Sequence, residues 1–483
     1  MSLTEKVASL VDKKSEVYKW VSDQIWEFAE TKFDEFRSAD LICETLMNEE
    51  FTVERGVANL ETGFIGSYGN GKPVIAILGE YDALAGLSQQ AGSSTFDPII
   101  PNGNGHGCGH NLLGVGALAG AVAVKDYLKQ NNLPGTVKYF GCPAEESGYG
   151  KTFMARDGLF NDVDVAFSWH PGTANLVMHA TANAVINATF KFKGRSSHAA
   201  ASPHLGRSAL DAVELMNVGV NYMREHIVDQ ARIHYAVTNT GGLAPNVVQA
   251  EAEVTYLIRA PKPNQVKELY ERVVNCARGA ALMTQTTVKE QIVGSCHNLI
   301  PNMTLEKVMH QHMQDLGYAA LTEQDIHFAK EIYNTLSEEE KELAALQVGK
   351  EAARQLAERP IIDSVAPYSE NPFFMGGSTD VADVSWNVPT AQCTTSTWAF
   401  GTPFHTWQVV AQGKTTYAHQ AMLLAGKTIA CTAISALETP ELIEKAKLEL
   451  KQRLDGEKYE ALIPNDLTPP RKSGQDAGGL MTV

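Results

Sequence analysis

Short apolar runs alternate with longer helical stretches along the first half of the chain. VIAILGEYD (74–82) reads as a buried strand ending in acids, and NLLGVGALAGAVAVKDYLKQ (111–130) as a helix whose small-residue face can lie close on a sheet. TVKYFGCPAEE (136–146) reads as a strand that ends in two carboxylates, and VDVAFSWHP (163–171) as one that ends in a histidine. This alternation predicts an α/β sheet with helices on its faces. Such sheets bind ligands at the carboxyl ends of their strands, and here those ends carry Asp82, Glu145, Glu146 and His170. The opening stretch, MSLTEKVASLVDKKSEVYKW, mixes charged and apolar positions as an amphipathic helix does.

From about Asn187 the rhythm changes. ATFKFKG, GRSALDAVELMNVGVNYMRE, RIHYAVTNT, EAEVTYLIRAP, QVKELYERVVNCARGAALM and TVKEQIVGS follow as strand, helix, strand, strand, helix and strand. That order is ferredoxin-like and long enough for a unit of its own. The expected organisation is a first part of one domain at 1–185, an inserted α+β domain at 186–297, and the return of the first domain at 298–483. The charge-rich stretch 320–360 reads as a solvated helical excursion, and a long helix starts near Thr416. The end, from about Pro464, is polar and proline-containing and is expected to fray.

Length agrees with two domains, since 483 residues exceed one ordinary core. A formal net charge of −16 argues against nucleic acid or an anionic membrane as partner, because either needs a basic face. No secretory signal is visible, and the most apolar run, around ALAGAVAV, falls short of the ~20 residues a spanning helix requires. The seven cysteines are odd in number and scattered. They suit a reduced, cytoplasmic chain, in which a cysteine in polar company is a ligand or catalyst rather than half a disulfide.

One loop concentrates metal-binding chemistry. NGNGHGCGHNLLG (102–114) separates His106, Cys108 and His110 by single glycines. Thiolate, imidazole and carboxylate all ligate zinc-like cations, and a thiolate can bridge two of them. The candidates for a dinuclear site are Cys108, His110, Glu146, His170 and His405. On extended backbone the i, i+2 spacing puts Cys108 and His110 on one side; a glycine turn with an incidental cysteine is the alternative for this loop alone. Glu145 and Glu146 would point opposite ways on extended backbone, one to a cation and the other to the water beside it. A solvated pair of loop acids is the alternative there. Asp82 suits the orienting of a histidine ligand through its free nitrogen. His198 follows a strand of the inserted unit, and His106 and His204 are assigned no role beyond structure.

Taken together, GEYDAL, GHGCGHN, CPAEES, WHPG, FKGRSSHAAASPHLGRSALDA and GTPFHTW resemble the dinuclear metallo-amidohydrolases that include hippurate hydrolase, auxin-conjugate hydrolase and glutamate carboxypeptidase. The resemblance runs over nearly the whole chain and follows the branch with a cysteine ligand in H-x-C-G-H. It implies a mixed-sheet α/β catalytic domain of metallopeptidase type, with the inserted ferredoxin-like unit as lid and dimerisation domain. It implies two divalent cations per subunit, Mn2+ or Zn2+, held by Cys108, His110, Glu146, His170 and His405, with Glu145 as general base and Asp82 behind the ligands. His198 matches a lid histidine that reaches the site of the partner subunit to stabilise the oxyanion, and Asn246 and Arg259 match lid positions that hold a substrate carboxylate. Glu80 stands where many relatives carry a histidine, and its role stays open. The reaction so implied is cleavage of p-aminobenzoyl-glutamate, a folate breakdown product, to p-aminobenzoate and glutamate. Other N-acyl amino acids or dipeptides, and a non-catalytic subunit of a two-subunit hydrolase, are the alternatives. The substrate would be a small molecule with a free carboxylate, and the assembly a homodimer or a hetero-oligomer with a paralogous subunit.

Overall fold

The computed structural model describes residues 1–470. Val74–Glu80 is buried along its whole length, as an apolar run covered on both faces must be. It pairs in parallel with Gly135–Cys142 on one side and with Val165–Gly172 on the other. Thr390–Ser396 adds a further parallel strand beside Val165–Gly172, and Leu176–Val177 closes that edge antiparallel. At the opposite edge Phe64–Asn70 and Thr52–Arg55 continue antiparallel, which completes a mixed sheet of seven strands among the described residues.

Helices His110–Asn131 and Thr416–Glu438 cover one face of this sheet in the main hydrophobic core. A side chain at Gly116 would meet the Trp169 ring at 2.7 Å, so the small-residue face of the first helix is what lets it lie on the strands. Helix Gly150–Arg156 and helix Val381–Ser385 lie on the other face, where Phe153 of the first shares a core with Phe140 and Phe160. By length and mean hydropathy both long helices are apolar enough to cross a membrane, which corrects the sequence estimate of too short a run. Their most apolar windows are 94% and 78% buried inside the fold, as core helices are.

A second sheet takes over at Ala184–Lys193. Its strands run in the order Thr287–Cys296, Ala184–Lys193, Glu251–Ala260, Arg232–Asn239, all antiparallel. Helices Ala209–Met223 and Pro263–Thr284 pack on one face of it and form a separate core with the strands' alternate residues. Chain order and strand order are those of a ferredoxin-like unit.

Several local expectations change. The N-terminal stretch is two helices, Leu3–Asp12 and Ser15–Phe28, rather than one. The excursion at 320–360 is helical but not wholly solvated, because Tyr333, Leu336 and Ala344 bury themselves against Phe400. At the far end Leu462 and Ile463 are buried and Arg156 donates to the Leu467 carbonyl at 2.6 Å. That anchors the start of the tail expected to fray; its remainder, 471–483, lies outside the described residues.

Candidate metal centre

The loops that follow the parallel strands carry the candidate ligands to one place. The strand expected to run to Glu146 ends at Cys142, and Glu145 and Glu146 stand in a turn after Ala144, whose φ is +59°. Cys108 and His110 are likewise not on extended backbone. Gly109, at φ +72°, turns the chain so that His110 becomes the first residue of its helix. The pairs are therefore aimed by turns, which sequence spacing alone does not encode.

Two groups of donors share one sulfur. Cys108, His110 and His170 offer ligand atoms that all lie within 4.8 Å of one another, and so do Cys108, Glu146 and His405. Cys108 Sγ is 3.4 Å from His170 Nε2, and His405 Nε2 is 3.3 Å from Glu146 Oε2. His405, half-exposed, is drawn in by its backbone N–H, which donates to the Gly107 carbonyl at 2.9 Å. All seven cysteines are free thiols.

Hydrogen bonds behind the histidines fix which nitrogen faces inward. His110 Nδ1 lies 2.8 Å from Asp82 Oδ1, and His170 Nδ1 lies 2.8 Å from the Pro171 carbonyl. A carboxylate or carbonyl oxygen can only accept, so each Nδ1 carries a proton and each Nε2 is the nitrogen turned inward. Against burial, Cys108 and Asp82 hold His110 well above its ordinary value, so its Nε2 would shed a proton on binding a cation. Burial, then the neighbouring His110, holds His170 down at about 4, so its ring is neutral, as a ligand must be. Asp82 also accepts the Glu146 backbone N–H at 2.9 Å, which seats the turn.

The donor set fits a pair of cations. Glu146 Oε1 is buried without a hydrogen-bond partner, and buried His110 Nε2 also lacks one, with the Glu80 carboxylate 3.4 Å away; such atoms cost free energy unless something else satisfies them. Burial, and next the Glu146 carboxylate, pushes the Cys108 thiol well above its ordinary range, and a cation beside it would supply the charge that ionises it. Glu145 is pushed up by burial first and then by the carboxylates of Glu80, Asp380 and Glu146.

Sequence reading missed the buried support of this centre. Lys151 is wholly buried, with Nζ 2.6 Å from Glu80 Oε1 and 2.6 Å from Asp380 Oδ1. Glu80, His110 and Glu145 form a third group of converging donors, so Glu80 stands between the lysine and the centre. Asp380 lies in GGSTD, a stretch with no periodic signal that could have pointed to it. His198 is exposed, its Nδ1 accepts the Ala200 and Ala201 amides at 3.2 Å, and Ala199 N–H donates to the Asn246 carbonyl at 2.9 Å. Arg259 donates to Ser378 Oγ at 2.6 Å. Among the described residues no hydrogen bond joins His198, Asn246 or Arg259 to the clustered ligands. His106 is buried with Nε2 3.0 Å from the Ile25 carbonyl, and His204 is exposed on a short turn.

Comparison with known proteins gives concordant matches. Residues 76–391 match peptidase family M20/M25/M40. One of the subunits of the p-aminobenzoyl-glutamate hydrolase of Escherichia coli (strain K12) is 48% identical over 459 residues, 94% of this chain and 95% of that protein. Of solved structures, the aminobenzoyl-glutamate utilization protein from Klebsiella pneumoniae superposes with a TM-score of 0.58 at 16% identity, over 89% of this chain and 97% of that one. A dinuclear metal binding peptidase of the M20 family from Bacillus subtilis gives 0.54 at 18% identity, over 89% and 99%. At those identities the two structures speak to the fold alone.

Proposed function

The chain belongs to peptidase family M20/M25/M40, whose members are hydrolases, and from that premise we propose that it cleaves p-aminobenzoyl-glutamate to p-aminobenzoate and glutamate with two divalent cations, Mn2+ or Zn2+. The observation that carries the reading is the sharing of Cys108 Sγ by two donor groups, Cys108–His110–His170 and Cys108–Glu146–His405. The near-full-length likeness to the E. coli hydrolase subunit supports the substrate.

His110 and His170 would hold one cation and Glu146 and His405 the other, with the Cys108 thiolate between them. When bound, the pair supplies Lewis acidity to the scissile carbonyl and to the attacking water. Glu145, raised by burial and its acidic neighbours, takes the water's proton on a carboxylate oxygen and returns it to the leaving nitrogen. Its tasks require a carboxyl that can both hold and release a proton, and cations nearby would offset the upward push. His198 keeps Nε2 free, since Nδ1 accepts two backbone amides, and that nitrogen donates to the carbonyl oxygen of a site in the partner subunit. Asn246 and Arg259 take the substrate's carboxylate. The second unit, residues 186–297, acts as lid and pairing surface, in a homodimer or with a paralogous subunit.

The test uses this chain purified alone, stripped of metal, reloaded with Mn2+ or Zn2+ and supplied with p-aminobenzoyl-glutamate. Metal-dependent release of glutamate is expected. Hydrolysis of other N-acyl amino acids but not of this compound would replace the substrate, and activity only after addition of a paralogous subunit would make this chain the non-catalytic member.

A further inference from the structure

We propose that Arg232, which faces Arg259 across the second sheet, completes a two-guanidinium cradle for the side-chain carboxylate of a dicarboxylic amino acid, so that the chain selects N-acyl glutamates over neutral N-acyl amino acids. The inference rests on the amide-hydrolase reading: it takes the carboxylate held by Arg259 to be the side-chain one and adds Arg232 as the second guanidinium on it.

Strand register carries the argument. Glu251–Ala260 runs antiparallel to Arg232–Asn239, with Arg259 directly opposite Arg232 and Leu257 opposite His234. Ile258, Ala260 and Ile233 are buried in the core under the helices. Side chains alternate along a strand, so Arg259, Arg232 and His234 share the open face of the sheet. Like charges placed directly opposite in an antiparallel pair repel. Neither arginine is within ion-pair distance of an acid among the described residues, in a chain with 56 acids against 40 bases. The acids of the same strand, Glu251 and Glu253, sit at its other end and pair with Lys193 and Lys191. Arg259 donates instead to the Ser378 hydroxyl, and Arg232 to the carbonyls of Asp229 and Ala231. An anion held between the two guanidiniums converts that repulsion into paired charge-assisted hydrogen bonds.

Position links the pair to the centre. Asn183 ties this end of the sheet to the loop before Asp380: its amide donates to the Gln230 carbonyl at 3.5 Å and to the Gly376 carbonyl at 3.3 Å. Ser378, the partner of Arg259, stands two residues before Asp380, which pairs with Lys151 and through it with Glu80 beside Glu145. A hollow of about 770 Å³ lined by Arg224, Asp229, Arg232 and His234 opens on the Arg232 side of the pair; Arg259 is not in its lining. Burial first, then Arg259, Arg224 and Arg232, holds the His234 imidazole below its ordinary value.

The experiment compares kcat/KM of the metal-loaded protein on p-aminobenzoyl-glutamate and on p-aminobenzoyl-alanine, for the wild type, Arg232→Gln and Arg232→Lys. Arg232→Gln is expected to lower kcat/KM on the glutamate compound roughly 10- to 100-fold, mainly through KM, and to change the alanine compound less than about threefold. Arg232→Lys should recover part of the loss. Equal losses on both compounds, an unchanged glutamate compound, or a wild type with no preference for glutamate overturns the cradle and leaves amide hydrolysis standing. A wild type that cleaves neither compound overturns both.

Discussion

Asp82 Oδ1 lies 2.8 Å from His110 Nδ1, with both side chains buried. The other oxygen of the same carboxylate accepts the Glu146 backbone N–H, so one acid sets the tautomer of one ligand candidate and the seat of another. Asp82→Asn is expected to lower divalent-cation affinity roughly 10- to 100-fold with the fold retained. Competition against a chelator measures this, and an unchanged affinity would contradict the orienting role.

Glu145 differs from Glu146 in what it meets. Glu146 shares its group with Cys108 and His405, whereas Glu145 converges with Glu80 and His110. Glu145→Gln should therefore keep both cations while kcat falls roughly 100- to 10,000-fold. Elemental analysis beside turnover checks the pair of outcomes; an active variant removes Glu145 as base.

Lys151 pairs with both Glu80 and Asp380 in the interior beneath the centre, 2.6 Å from each. Lys151→Met leaves buried Asp380 without its ion-pair partner and Glu80 with His110 alone, 3.4 Å away. Breaking a buried pair in this way costs about 3–5 kcal/mol. Urea unfolding of the variant should show that loss, and a variant as stable as the wild type would mean that the acids find other partners.

The His106 ring supplies a pH dependence. Burial, then the nearby His110, holds it down at about 4, below its ordinary 6.5. Between those values the unfolded chain binds a proton that the folded chain refuses. The stability due to the neutral ring is thus fully present above about 6.5 and is lost as pH falls toward about 4, by up to roughly 3 kcal/mol. Unfolding free energies at pH 7 and pH 5 should fall more steeply for the wild type than for His106→Gln; parallel losses in the two proteins would contradict the assignment.

Much of the scaffold is legible from pattern because its strands are covered on both faces. The runs Val74–Leu78 and Val165–Phe167 are continuous and apolar, and the alternation in EAEVTYLIRA gives away a sheet with one buried face. Chemistry at strand ends is legible for the same reason, since Asp82, Glu145 and His170 interrupt apolar runs where only function or pairing tolerates them. The aim of each side chain is not legible. It depends on left-handed backbone at Gly109, Ala144 and His405, and His405 is held by a hydrogen bond to a loop almost 300 residues earlier in the chain. Lys151 escaped notice on similar grounds. Its partners, Glu80 and Asp380, are brought together by packing alone, and pairs so distant in sequence leave no periodic trace.

The most direct measurement of the central claim is anomalous diffraction at the metal's absorption edge, from crystals of the protein loaded with Zn2+ or Mn2+. Two peaks per chain are expected, with Cys108 Sγ bonded to both at about 2.3 Å in the zinc form. His110 and His170 should complete one site, and Glu146 and His405 the other. A single peak, or peaks that leave the Cys108 sulfur unbonded, would contradict a shared-thiolate pair and with it the proposed chemistry.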